Sequence, residues 1–207
     1  MSFQPVDLPH ASRLLNHGPT VLVTSAHGSR RNVMAAAWSM PVEFTPPRIA
    51  VVIDKSTFTR GLVMAAGAFG LCIPGAGLAD FTYAVGSVSG REVADKFERY
   101  GLAGSVLAGP VLGMPVIEPG CCAWLECRLI PERHVEQAYD TCFGEVVAAA
   151  ADTRVFAAGR WKLDSAPDAL QTLHHLGAGN FAVSGRVLKA RAEAVAPGRD
   201  PPSPSSA

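Results

Sequence analysis

A cluster of hydroxyl and basic side chains lies between a strand-like run and a helix-like segment. Residues 48–53 read Arg-Ile-Ala-Val-Val-Ile, and residues 54–60 read Asp-Lys-Ser-Thr-Phe-Thr-Arg. Free backbone N–H groups and the helix dipole favour an anion at a helix N-terminus, so these hydroxyls and cations are suited to a phosphate group. The same letters also fit a plain helix cap, with Ser56 at the N-cap and Thr59 three residues later.

A run of small residues precedes this cluster. Residues 32–39 read Asn-Val-Met-Ala-Ala-Ala-Trp-Ser and form a strand candidate with little side-chain bulk at its centre. Strands disfavour such an alanine run, which indicates that a partner approaches the backbone closely. A flat aromatic ring is one candidate for this partner, and a closely packed helix is the other.

A second loop has the composition of an anion site. Residues 86–91 read Gly-Ser-Val-Ser-Gly-Arg, and Lys96 follows shortly after. Arg91 and Lys96 could form charge-assisted hydrogen bonds with the same anion. The alternative is a solvated loop that leads into a charged helix.

The sequence lacks the side-chain sets of a self-contained acid–base mechanism. Residues 177–182 match the spacing G-x-G-x-x-A, but they precede a strand-like run and lack a βαβ context, so we reject a Rossmann turn. The five cysteines have no metal-ligand or disulfide spacing, and we expect no metal site. A bound cofactor could instead carry the chemistry. A phosphate site beside a close-approach strand then favours flavin mononucleotide (FMN).

The charge and hydropathy of the chain limit the kinds of binding partner and the cellular compartment that we expect. The chain has 18 basic and 18 acidic residues, so its zero formal charge argues against nucleic acid or an anionic membrane surface as a partner. Low net charge leaves self-association open. With no signal-peptide pattern and no long apolar run, we expect a cytoplasmic protein without a membrane segment.

Short strands separated by turns dominate the pattern along the chain. We predict strands over 20–25, 32–39, 48–53, 69–73, 123–131, 142–149, 155–163 and 181–187, and helices over 56–66, 78–85 and 91–98. Many strands with few intervening helices indicate a mainly β, antiparallel barrel that a few helices cover. We expect a single domain over residues 1–195 and a disordered tail over 196–207, which is rich in proline and serine.

Several of these segments, in this order and spacing, resemble the flavin reductase-like family and, within it, the flavoredoxin-like branch. The matching segments are 32–39, 46–59, 69–74, 89–97, 143–147 and 176–185. The resemblance implies an FMN-binding split β-barrel, antiparallel and Greek-key-like, that forms a homodimer with flavin sites near the subunit interface.

The resemblance also implies a set of cofactor-binding residues and names no catalytic residue. Those expected along the isoalloxazine ring and ribityl chain are Met34, Ala35, Ala36, Ala37, Trp38 and Ser39. Those expected at the phosphate are Lys55, Ser56 and Thr59, and Asp54 beside them is also expected to bind the cofactor. Those expected to border the ring are Cys72, Ile73 and Pro74. Those expected to approach the same ligand from the second loop are Ser89, Gly90, Arg91 and Lys96.

One departure from the family pattern concerns the electron donor. Many relatives that use a reduced nicotinamide carry Gly-Asp-His shortly before a Gly-Glu-Val strand, whereas this chain has Gln137-Ala138-Tyr139 there. We predict an FMN oxidoreductase that takes electrons from NAD(P)H. The first alternative, which the Tyr139 departure favours, is a flavoredoxin-like carrier that a redox protein reduces. A split-barrel binding protein without flavin is the second alternative.

Overall fold

The computed structural model of the protein describes residues 2–190. The predicted disordered tail over 196–207 therefore lies outside the described residues. The strands are β1 (Phe3–Pro5), β2 (Val21–His27), β3 (Arg30–Ala36), β4 (Ser39–Phe44), β5 (Pro47–Val52), β6 (Ala68–Pro74), β7 (Val106–Ala108), β8 (Pro115–Ile117), β9 (Cys121–Ile130), β10 (Thr141–Asp152), β11 (Phe156–Ala157), β12 (Arg160–Trp161), β13 (Leu173–Gly177) and β14 (Asn180–Val183). The α-helices are α1 (Leu8–Ala11), α2 (Phe58–Ala66), α3 (Ala79–Ser87), α4 (Lys96–Arg99) and α5 (Arg133–Ala138).

One large antiparallel sheet organises the described part of the chain. Its strand order is β3-β2-β6-β9-β10-β5-β4, and β1 pairs separately with β10. The predicted hairpin of strands 20–25 and 32–39 is β2–β3, in which Val21 pairs with Ala36 and His27 with Arg30. The mainly β, antiparallel prediction is confirmed, and the helices lie between strands as predicted.

Period-two alternation along the strands separates two apolar clusters. In β2, Val21 and Val23 belong to the larger cluster inside the sheet, whereas Leu22 belongs to a second cluster with Val85 of α3 and Phe97 of α4. Successive strand residues point to opposite faces, so one strand contributes to both clusters. The second cluster attaches α3 and α4 to the outer face of β2 and β3.

The helix α2 begins one residue later than the cap alternative predicted. Thr57, not Ser56, is the N-cap, and its hydroxyl accepts a hydrogen bond from the backbone N–H of Arg60. The correction follows from Asp54, whose carboxylate accepts the N–H of Ser56 and forms a turn before the helix. The helix ends at Gly67, which has a φ of +64° and is a typical left-handed C-cap.

Three other sequence predictions need correction. The helix predicted over 91–98 is confined to Lys96–Arg99, because the side chain of Asp95 caps it there by accepting the N–H groups of Phe97 and Glu98. The strand predicted over 155–163 is the small hairpin β11–β12, which turns through two residues with positive φ. The sequence prediction also missed β4, an edge strand that contains a proline and a bulge.

Among residues 2–190, no helix has the length and apolar character that crossing a bilayer requires.

Candidate ligand-binding cleft

A cleft with two adjoining compartments lies between strand β3, helices α2 and α3 and the loop that follows α3. Gly86 and Ser87 line both compartments. The larger has a volume of about 420 Å³ and is lined by Asn32, Met34, Ser56, Thr57, Phe58, Thr59, Val85, Gly86, Ser87, Val88, Ser89, Gly90, Arg91, Glu92 and Lys96. The smaller has a volume of about 200 Å³ and is lined by Thr20, Ala35, Ala36, Ala37, Thr82, Tyr83, Gly86, Ser87, His175 and Phe181.

The start of α2 forms the hydroxyl-rich end of the larger compartment. Ser56, Thr57 and Thr59 all line it, as the phosphate prediction requires of Ser56 and Thr59. Asp54 does not line it but shapes the turn before the helix, and hydrogen bonds from Ser56 lower the pKa of the Asp54 carboxyl. Free N–H groups and the positive end of the helix dipole therefore face this compartment together with hydroxyls.

The two cations of the 54–60 cluster make other contacts. The Nζ of Lys55 lies 2.7 Å from the carbonyl oxygen of Gln137 and 3.3 Å from a carboxylate oxygen of Asp140. The buried guanidinium of Arg60 donates to the carbonyl oxygens of Ile53, Asp140 and Glu136 at 3.0–3.1 Å. Both side chains connect the start of α2 to the α5–β10 segment, and neither lines the cleft.

Arg91, which the sequence had also suggested as a contact for the anion, lines the larger compartment. Its Nη1 donates to the carbonyl oxygen of Ser56 at 2.7 Å, and its backbone N–H donates to the hydroxyl of Ser89 at 3.1 Å. The loop after α3 is thereby closed over the start of α2, and an exposed guanidinium lies beside the helix N-terminus. The structure thus brings Ser56, Thr59, Ser89 and Arg91 together.

Gly90 and Asn32 form a tight contact beneath this loop. Asn32 is buried, and its Nδ2 donates to the hydroxyl of Thr59 at 2.7 Å. A Cβ atom at Gly90 would lie 2.7 Å from Oδ1 of Asn32 and closer still to the ring of Phe58. Only glycine fits this position without moving a neighbour. Sequence reasoning did not place Asn32 in the site, although a polar residue at the start of an apolar strand was the available signal.

Lys96 lies at the base of the larger compartment. It is buried, and its Nζ donates to the carbonyl oxygens of Val33 at 3.0 Å and Val85 at 2.7 Å. Burial lowers the pKa of this lysine to about 8, and nearby Glu92 opposes the shift. An ammonium with a third N–H to donate therefore lies between β3 and α3, and it can lose its proton in a mildly alkaline solution.

This pKa gives a testable pH dependence. If the Lys96 ammonium helps to hold a phosphate, FMN affinity should fall about fivefold as the pH rises from 7 to 9.5, the loss expected for about 1 kcal/mol of ion-pair energy. Riboflavin, which lacks the phosphate, provides the matched control and should show no such step. Fluorescence titrations at several pH values measure both affinities. Equal pH profiles for the two flavins would contradict a phosphate contact by Lys96.

The small-residue strand forms the floor of the cleft, and α3 packs against it. Met34 lines the larger compartment and Ala35–Ala37 line the smaller one. A Cβ atom at Gly86 would lie 3.1 Å from the Cβ of Ala35, so the helix and the strand are in close contact there. The sequence had suggested either a packed helix or a flat ring beside the alanine run. The helix α3 packs on Ala35, and a cavity that could hold a ring remains beside it.

Five residues that were predicted to contact the flavin line neither compartment of the cleft. Trp38 is 74% exposed, and neither it nor Ser39 lines a compartment. Cys72, Ile73 and Pro74 are buried in β6, where Cys72 and Ile73 belong to the two apolar clusters. Contact between any of these residues and a flavin stays a prediction.

Three aromatic residues of the smaller compartment were missed by sequence reasoning. Tyr83 comes from α3, and His175 and Phe181 come from the hairpin β13–β14. This hairpin turns through residues 177–179, all with positive φ, so the glycines rejected as a Rossmann turn serve a tight β-turn. Their distance in sequence from β3 and α2 concealed their place in the cleft.

The fold and the cleft define a class of protein: an antiparallel split-barrel domain with a cleft that hydroxyl and basic side chains line beside a small-residue strand. The chain belongs to the flavin reductase like domain family, whose model matches residues 13–163. An uncharacterized protein of Escherichia coli K12, YddH, is 59% identical over 91% of this chain and 98% of its own length.

Solved structures agree with this membership. An FMN-binding domain of a flavin reductases-like enzyme from Shewanella baltica OS155 has 40% identity and a TM-score of 0.85, covering 91% of this chain and 97% of that one. Flavoredoxin of Desulfovibrio vulgaris (Miyazaki F) has 25% identity and a TM-score of 0.68, covering 86% and 92%. The predicted family and split-barrel fold are confirmed, and the FMN prediction agrees with the description of the Shewanella protein.

Proposed function

We propose that this protein binds FMN in the cleft and works as an oxidoreductase of flavin reductase type. The observation that carries this proposal is the cleft, whose larger compartment combines the N-terminus of α2, its hydroxyls and Arg91, and whose adjoining smaller compartment has the alanine run 35–37 as its floor. The phosphate of FMN would bind in the larger compartment, and its ring would lie along Met34 and the alanine run.

The residues of the cleft fit this cofactor on two independent grounds. Ser56, Thr59 and Ser89 offer hydroxyl donors, and Arg91 offers a guanidinium suited to a phosphate. The alanine run 35–37 offers a floor on which no large side chain obstructs a planar ring. When bound, FMN supplies the redox chemistry, and the protein's part is to bind it, orient it and limit its exposure to water.

We further propose that NAD(P)H is the electron donor. The described residues assign no donor site. Support therefore comes from the family to which the chain belongs, which includes reductases. The test is an anaerobic titration of the FMN-loaded protein with NADH and NADPH, followed by the loss of visible flavin absorbance. Rapid loss of flavin absorbance with either nucleotide supports the reductase function. If neither NADH nor NADPH bleaches the flavin, the reductase function is contradicted.

A flavoredoxin-like carrier is the second candidate, and Tyr139 favours it. This tyrosine stands where many relatives that use a reduced nicotinamide have a histidine. It is 65% exposed, and its ring lies edge-on to His134 with 6.0 Å between the ring centroids. The similarity to a flavoredoxin supports the same alternative. In this case a redox protein would reduce the bound FMN.

We propose the cytoplasm as the compartment for either function, since the five cysteines are free and buried.

We also propose that the protein forms a homodimer through strand β4. Within the described residues this strand pairs only with β5, and its neighbourhood exposes Trp38, Met40, Val42 and Phe44. An apolar edge of this kind is typical of a protein–protein contact. The zero net charge of the chain does little to oppose association of two copies.

The dimer proposal predicts the effect of a charge on this edge. Phe44→Asp, at a side chain 71% exposed, should shift the protein from dimer to monomer at micromolar concentration without a large loss of thermal stability. Leu107→Asp, at an exposed leucine of β7, is the matched control and should stay dimeric. Light scattering coupled to size-exclusion chromatography measures the mass. A wild-type monomer, or equal behaviour of the two variants, would contradict dimerisation through β4.

A further inference from the structure

A second arginine contacts the loop after α3, and it does so from outside the cleft. Arg30 is the first residue of β3, and its side chain is exposed. Its Nη2 donates to the carbonyl oxygen of Gly90 at 3.2 Å. Gly90 lines the larger compartment, whereas Arg30 lines neither compartment. The influence of Arg30 on a bound ligand must therefore pass through the loop or through its charge.

The ring of Phe58 holds this guanidinium in place. The Cζ atom of Arg30 lies 4.3 Å from the centroid of the Phe58 ring, within the range of a cation–π contact. Phe58 is the first residue of α2, and its ring packs so closely on Gly90 that a Cβ atom there would collide with it. Arg30, Phe58 and Gly90 therefore form one packed unit that joins the start of β3, the start of α2 and the loop.

The hydrogen bond from Arg30 fixes the orientation of the peptide group between Gly90 and Arg91. In a planar trans peptide the carbonyl oxygen and the N–H point in opposite directions. The carbonyl oxygen of Gly90 points to Arg30, outside the cleft. The N–H of Arg91 donates to the hydroxyl of Ser89, which lines the larger compartment. The N–H side of this peptide group therefore faces the part of the larger compartment in which we place the phosphate, which we call the phosphate end.

The opposite orientation of the same peptide group would weaken an anion site. Glycine has no Cβ atom, so the peptide group beside it can turn over at little steric cost. After such a turn the carbonyl oxygen of Gly90, with its partial negative charge, would face the phosphate end and repel a phosphate. The N–H of Arg91 would also lose its bond to Ser89. The bond from Arg30 therefore stabilises the orientation that suits an anion.

The neighbouring Arg31 has the same charge but different contacts. Successive residues of a strand point to opposite faces, so Arg31 points away from the side of Arg30. Its Nε lies 2.9 Å from a carboxylate oxygen of Asp95, and its guanidinium lies over the ring of Phe97. Among residues 2–190, no hydrogen bond joins the side chain of Arg31 to the loop 86–91. Arg31 thus allows an equal charge to be removed one residue away without breaking the bond to Gly90.

We propose that Arg30 is a positioning residue for the phosphate of FMN. It holds the Gly90–Arg91 peptide group with its carbonyl turned out of the cleft. It thereby keeps the hydroxyl of Ser89 and the guanidinium of Arg91 beside the N-terminus of α2. The proposal rests on the proposed function, because it places the phosphate of FMN at this end of the cleft. Arg30 is then required for tight binding of FMN and not of riboflavin, although it touches neither flavin.

The first measurement needs no ligand. Amide hydrogen exchange of Arg91, followed by NMR in the apoprotein, reports whether this N–H keeps its bond to Ser89. Arg30→Met removes the donor but keeps a side chain that can pack on the ring of Phe58. We expect exchange of the Arg91 amide to become roughly threefold faster or more in Arg30→Met and to stay unchanged in Arg31→Met.

Fluorescence titration then measures the affinity of each variant for FMN and for riboflavin. Arg30→Met should weaken FMN binding about fivefold and riboflavin binding by less than about twofold. Arg30→Lys, which keeps a cationic donor, should recover most of the FMN affinity, and Arg31→Met should resemble the wild type. The loss in Arg30→Met should persist in about 0.5 M salt, which screens the attraction of a surface charge but leaves the orientation of the peptide group in place.

The outcomes separate this inference from the proposed function. No uptake of FMN by the wild type would contradict the proposed function and, with it, the role of Arg30 toward a phosphate. Normal uptake of FMN with unchanged exchange of the Arg91 amide in Arg30→Met would overturn this inference alone. Equal losses for FMN and riboflavin would point to a general loss of structure and would overturn it too. A loss that Arg31→Met shares, or that disappears in high salt, would assign the effect to charge and would have the same consequence.

Discussion

Replacing Gly90 with alanine is expected to weaken FMN binding roughly tenfold or more. The added methyl group would collide with the ring of Phe58 and would lie 2.7 Å from Oδ1 of Asn32. Because Asn32 is buried and bonded to Thr59, the loop rather than the strand should move. Overpacking of this kind costs about 1–3 kcal/mol, or about 5- to 150-fold in affinity if the loop must return to bind the ligand.

The matched control for this change is Gly104→Ala. Gly104 also lies in a connecting segment, but a Cβ atom there would meet open space. Its FMN affinity should equal that of the wild type within twofold. Fluorescence titration of the apoproteins measures both constants, and thermal melting shows whether each variant is folded. A folded Gly90→Ala variant with wild-type affinity would show that the 86–91 loop does not contact FMN.

Replacing Arg91 with alanine is expected to raise the dissociation constant for FMN about tenfold and that for riboflavin little. Its guanidinium lies beside the N-terminus of α2, bonded to the carbonyl of Ser56. A charge-assisted bond to a phosphate contributes about 1.5 kcal/mol at such an exposed position, and riboflavin has no phosphate to lose.

Lys55→Ala provides the control for charge near the same helix. Lys55 is also exposed, but its ammonium contacts Gln137 and Asp140 instead of the cleft. Its removal should change FMN affinity by less than threefold. A larger effect from Lys55→Ala than from Arg91→Ala would place the phosphate nearer to Asp140 and would contradict the site described above.

This contrast shows where sequence reasoning succeeded and where it stopped. The strand, turn and hydroxyl-rich helix start at residues 48–59 were predictable, because local periodicity and capping chemistry specify them. Both Lys55 and Arg91 were predicted to contact the ligand, and local pattern could not show that only Arg91 of the two lines the cleft. The position of Arg91 depends on a contact between residues 35 positions apart in the chain, formed when the loop after α3 closes over α2.

The same limit explains the missed elements. Pro41 reads as punctuation in the sequence, yet it is tolerated in β4 because this is an edge strand with a bulge. The aromatic side chains of the smaller compartment were hidden for a different reason. His175 and Phe181 come from a hairpin far along the chain, and contacts with distant residues, among them Thr20, bring it over the alanine run.

The measurement that tests the central claim most directly is a titration of the apoprotein with FMN, followed in the visible spectrum. If the cleft between β3, α2 and α3 is a flavin site, the FMN spectrum will shift and its fluorescence will change until one FMN is bound per chain. Riboflavin will then bind more weakly, since it cannot use the phosphate end. An FMN spectrum that stays identical to that of free FMN at all protein concentrations would contradict the account.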